Sequence, residues 1–173
     1  MINLNEIIVK FVLYSVIGTI LHFTYKLSKK NIVVGIFSQT NESVWEHIKM
    51  LLTPIFFLNT ISYLINRNNI VFYEMFVELS SSIILIIIFY YVIKHFFGNR
   101  YEFLYVLSFY VTSFIVSYLG YQAKISNISS ALNCFAMLLD IIIFLMYLSF
   151  SIFPPKNDIF KDPVTGTYGI CVK

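Results

Sequence analysis

Charge is what this sequence has least of. Only 12% of its 173 residues are Asp, Glu, Lys or Arg, while 58% are apolar and the mean hydropathy is +0.79. A soluble domain carries about 25% charged residues, so this chain has too few to cover a water-facing surface. Lipid is the solvent that fits. Polar/apolar alternation is also missing: runs such as Ile83-Ile84-Leu85-Ile86-Ile87-Ile88 lack the period-two pattern of a transmembrane strand. No stretch joins basic residues and aromatics on a soluble face, so the net charge of +3 carries no nucleic-acid role. There is no basic n-region and no small-x-small cleavage site before Lys26, and Lys10 lies within the first apolar run. That run is expected to stay as a span rather than leave as a signal peptide. Two cysteines say little. Cys134 is expected in a helix core, and Cys171 stands one residue too near the C-terminus for a prenylation box.

What is present is a set of long apolar stretches: about Ile7–Tyr25, Val44–Ile65, Val71–Phe97, Tyr101–Tyr121 and Ser130–Phe153. Each meets the roughly 20 residues that a helix needs to cross about 30 Å of hydrocarbon. The connectors Asn66–Asn69, Gly98–Arg100 and Ala123–Asn127 are short and polar, as antiparallel neighbours require, and Lys26–Asn41 is the longest. The expected fold is therefore all-α: a polytopic membrane bundle of about five transmembrane helices over residues 1–153, with a cytoplasmic tail over 154–173. Lys26, Lys29, Lys30, Lys49, Lys94, Arg100, Lys156, Lys161 and Lys173 fall on one side, against Lys10, Arg67 and Lys124 on the other. By the positive-inside rule this puts the N-terminus out and the C-terminus in.

Polar groups within the spans narrow the search. Glu74 and Glu78 share a helix face, and Lys10 on the first span is expected to pair with one of them. Asp140 sits near mid-span, where a carboxylate costs about 2.5–3.5 kcal/mol on insertion scales, so it should face the bundle interior. Asn133 lies two turns earlier on the same face. A route through Glu78 and Asp140 would be needed for transport. Pro54 should kink the second span and free a carbonyl near Met50.

The densest polar cluster is Asn41–Lys49, NESVWEHIK, at the start of the second span. Ser43-Val44-Trp45-Glu46 has the form of a capping box, Trp45 suits a headgroup boundary, and Lys49 can snorkel to it. His47, and His22 at the same depth on the first span, are less well explained. The segment lacks the HExxH spacing of a zinc protease. A mixed site of His22, Glu42, Glu46 and His47, with Asp158 and Asp162 of the tail, would suit a divalent metal. In that site Glu46 and His47 would be the acid/base candidates. Ile159, Phe160, Tyr168 and Ile170 would let the tail cap the cluster.

The pair His22-Phe23 followed by NESVWEHIK resembles the signature of a family of small multi-pass membrane proteins of low-GC Gram-positive bacteria, classed as a domain of unknown function. The resemblance implies a bacterial cell membrane and carries over no catalytic residue. Three functional classes follow. The first is a non-enzymatic membrane subunit or accessory protein with a polar site at the cytoplasmic boundary. The second is a membrane-embedded metal-dependent enzyme acting on lipid or peptide, and the third a small transporter or ion pathway. The expected partners are the bilayer and either a membrane protein or a second copy of the chain.

Overall fold

A computed structural model describes residues 3–66, 71–98 and 101–170. It is helical: α1 Leu4–Leu27, α2 Ile32–Phe37, α3 Val44–Asn66, α4 Val71–Phe97, α5 Glu102–Ile125 and α6 Ser130–Ile152. Five of these, all but α2, are long and apolar enough to cross a membrane. No strand occurs among the described residues, where Lys161 and Tyr168 form an isolated bridge. The exterior is apolar, with Val9, Leu64, Phe96 and Phe103 all more than half exposed.

Helices α1, α3, α4 and α5 close a ring, each touching the next, and α6 lies against the outside of α4. The two ends of the ring are named here for Lys10 and for Trp45. Small residues let the ring close tightly. A Cβ at Gly18 would lie 2.9 Å from the Met50 carbonyl and 2.6 Å from the Phe109 ring. Met50 O is the carbonyl that Pro54, inside α3, leaves without its helical donor.

In the helices and their connectors the structure differs from the sequence reading as follows. Helix α5 runs on to Ile125 and absorbs Ala123 and Lys124, because Lys124 pairs with Glu6 of α1 and Asn3 N donates to Tyr121 OH at 2.8 Å. Cys134 is exposed on α6 rather than held in a core. The connector Lys26–Asn41 contains a helix. Lys29 and Lys30 adopt positive φ (57° and 63°), which reverses the chain, and the Asn31 side chain accepts from Val33 N and Val34 N to start α2. Of the connectors expected at 66–69 and 98–100, residues 67–69, with Arg67, and 99–100, with Arg100, lie outside the described residues, as do Cys171 and Lys173.

Candidate functional site

A six-residue helix leaves its last carbonyls without helical partners, and the start of α3 supplies them. Lys49 Nζ donates to Gly35 O at 2.8 Å, and Thr53 Oγ1 to Phe37 O at 2.9 Å. From α6, Tyr147 OH donates to Ile36 O at 3.0 Å. Lys49 also contacts both oxygens of Glu46, at 3.1 and 3.0 Å, so all three ammonium hydrogens are used. Glu46 Oε2 accepts from Thr40 N at 2.7 Å. The ion pair is 0% and 1% exposed. Lys49 therefore does not snorkel: α2 covers it, and its charge sits at the negative end of that helix. Glu46, expected as a ligand or acid/base group, holds the α2 connection instead.

The capping box is half formed. Ser43 Oγ accepts from Glu46 N at 3.4 Å, but Ser43 N donates to Asn41 Oδ1 rather than to Glu46. Helix α3 begins at Val44, so Glu42 precedes it and does not share a helical face with Glu46. Trp45 is buried at 6% exposure between Phe150 and Phe160, with ring centroids at 5.4 and 5.1 Å, and its N donates to Ile159 O at 3.0 Å. It clamps the tail instead of lying at an open boundary. As the only tryptophan, it reports on that clamp. Phe160→Ala is expected to shift Trp45 emission to the red and make residues 154–170 the first site of limited proteolysis. Unchanged emission would refute the clamp.

The remaining members of the cluster do converge. His22 Nδ1 is hydrogen-bonded to Gln39 Oε1, Gln39 Nε2 donates to Glu42 Oε2 at 3.1 Å, and His47 Nε2 lies 3.8 Å from the same oxygen. His47 Nδ1 is 2.9 Å from Ser43 O. His22, Glu42 and His47 of this chain rim a cavity of about 620 Å³ at the Trp45 end, walled by all four ring helices and touched by Pro163 and Val164 of the tail. Gln39 was missed in the sequence, and only its nearness to the motif hinted at it.

The other expected ligands do not join this rim. Asp162 caps its own turn, accepting from Val164 N at 3.0 Å and Thr165 Oγ1 at 2.5 Å, and Asp158 is exposed. Among the described residues, no three His, Cys, Asp or Glu side chains lie close enough to hold a metal ion.

A second polar group closes the ring toward the Lys10 end. Lys10 pairs with Glu74 and, at 2.7 Å, with Glu78. Tyr14 OH and Asn59 Nδ2 each donate to Glu78 Oε2 at 2.7 Å. Glu78 is fully buried, and its carboxylate occupies the space where a Cβ on Gly120 would stand. Lys10 thus takes both glutamates. Tyr14, one turn after Lys10 on the same face, was the signal that went unread. Asp140, 3% exposed, faces inward on α6 with neither carboxylate oxygen hydrogen-bonded. Asn133 serves elsewhere: its Oδ1 accepts from Tyr73 N at 3.0 Å and caps the start of α4.

Fold and site together define a helical protein of multi-pass membrane type, with an internal cavity open near one end and a charged knot toward the other. The chain belongs to DUF6512, a family of unknown function, which matches residues 3–170. No curated protein and no solved structure matches it.

Proposed function

We propose that this is a non-enzymatic protein of the bacterial cytoplasmic membrane, an accessory or subunit, which binds a small amphiphile at the cytoplasmic boundary. The excess of Lys and Arg at the Trp45 end supports a cytoplasmic placement for that end, and it persists when buried Lys49 is left out. The cavity carries the reading. About 620 Å³ is ample for a small organic molecule, and ligand sites commonly span about 300–1,000 Å³. Met50, Ile86 and Phe109 give it apolar walls inside the ring, interrupted by the hydroxyls of Thr19, Ser108 and Tyr110, and its ionisable side chains His22, Glu42 and His47 gather at the rim. A molecule with an apolar body and one polar end matches that gradient.

The non-enzymatic reading rests on the fate of the acid/base candidates. Glu46 is saturated by Lys49 and Thr40 N, and His47 Nδ1 is held by a backbone carbonyl. Native mass spectrometry of protein released from nanodiscs tests the proposal. One amphiphile retained by the native chain, and lost from Ser108→Trp, which fills the cavity from α5, is the expected result. No adduct on the native chain, or the same adduct on both, would overturn it.

A further inference from the structure

The cavity is chemically one-sided. Among the described residues no Lys or Arg lines it, and Glu42 is the one carboxylate that does. The hydrogen-bond donors around it are also almost all committed. Gln39 Nε2 donates to Asn41 O at 3.0 Å and to Glu42, which fixes its amide with Oε1 toward His22. The His22 Nδ1 hydrogen is therefore spent on Gln39, and that of His47 on Ser43 O.

Deeper in, the pattern repeats. Thr19 Oγ1 donates to Ser15 O at 2.7 Å, so the Tyr110 hydroxyl, 3.2 Å away, must donate to Thr19. Ser108 donates to Tyr105 O at 2.7 Å, and Tyr105 OH to Gly98 O at 3.4 Å. What the described residues offer the space is a set of committed hydroxyls, the Glu42 carboxylate and aromatic rings, one of which, Tyr90, already carries Lys94 Nζ at 5.4 Å from its centroid. A cation is the guest such a lining favours, because Glu42 can receive it.

Resting on the cavity-binding reading, we infer that the ligand is an organic cation: an ammonium group on an apolar body. The ammonium sits at the rim against Glu42, and the apolar body lies among Met50, Ile86 and Phe109. The ammonium could come from a free alkylamine or from an amino-headed lipid. Among the described lining residues no Lys or Arg is present to serve a lipid phosphate, which favours the free amine.

Binding of decylammonium, decanol and decyl sulfate to the protein in phosphatidylcholine nanodiscs, against empty nanodiscs, separates the possibilities, because only the headgroup changes. Decylammonium is expected to bind about tenfold or more tightly than the other two, a difference of about 1.4 kcal/mol. Glu42→Gln is expected to remove most of that preference. Equal binding of all three that Ser108→Trp abolishes would overturn the cation and leave the cavity reading standing. Preference for the sulfate would also overturn the cation. No binding beyond empty nanodiscs would overturn both. Adding phosphatidylethanolamine assigns the source within the supported outcome: displacement of decylammonium points to a lipid amine, and its retention to a free one.

Discussion

Lys49→Met is expected to cost about 3–5 kcal/mol of stability, the usual cost of removing one partner from a buried ion pair. The side chain lost is almost isosteric, so little of this comes from packing. It comes from what stays behind. Glu46, 1% exposed, keeps a single donor in Thr40 N, and Gly35 O at the end of α2 loses its side-chain donor, Lys49. The six residues of α2 have little intrinsic helical stability, so the seat of the 38–43 connection should loosen with them. Thermal unfolding in detergent, followed by Trp45 emission, measures the loss. Glu46→Gln combined with Lys49→Met removes the orphaned charge and should regain more than half of it. A nearly neutral Lys49→Met would mean that the ammonium reaches water.

The second large effect is expected at Gly120. Its missing Cβ is the space that the Glu78 carboxylate fills. Gly120→Ala must therefore push Glu78 away from Lys10, Tyr14 and Asn59 or part α4 from α5. Overpacking an apolar core costs about 1–3 kcal/mol, and displacing a charged hub should reach or exceed the top of that range. The test is a double-mutant cycle with Glu78→Ala, which empties the space. In that background Gly120→Ala should be close to neutral, a coupling that only direct contact produces. Additive losses would place the clash elsewhere.

The five long helices were legible in the sequence because length and hydropathy alone settle them. The Lys10 pairing was legible too, since depth along the first and third spans brings few other partners within reach. The helix α2 was not. Its stability comes from Lys49, Thr53 and Tyr147, residues 14, 16 and 111 positions away from the carbonyls they cap, and no local pattern announces such caps. That omission also explains the misreading of Lys49. A lysine in the first turn of a span snorkels only if nothing covers it, and here a helix does. The rim was half legible: His22, Glu42 and His47 come together as expected from depth, but through Gln39, whose role depends on how the connector folds back.

The ion pair between Lys10 and α4 also bears on how the chain is made. Lys10 is synthesised 64 residues before Glu74 and 68 before Glu78. In the membrane placement proposed above, the first helix enters with its cation unanswered, at a penalty of up to about 2.5–3.5 kcal/mol if held at mid-bilayer. The partners arrive only after α2 and α3 have been threaded. Stable residence of α1 is thus deferred until α4 emerges, so a nascent chain halted after α3 should be released from the membrane or degraded more readily than one halted after α4.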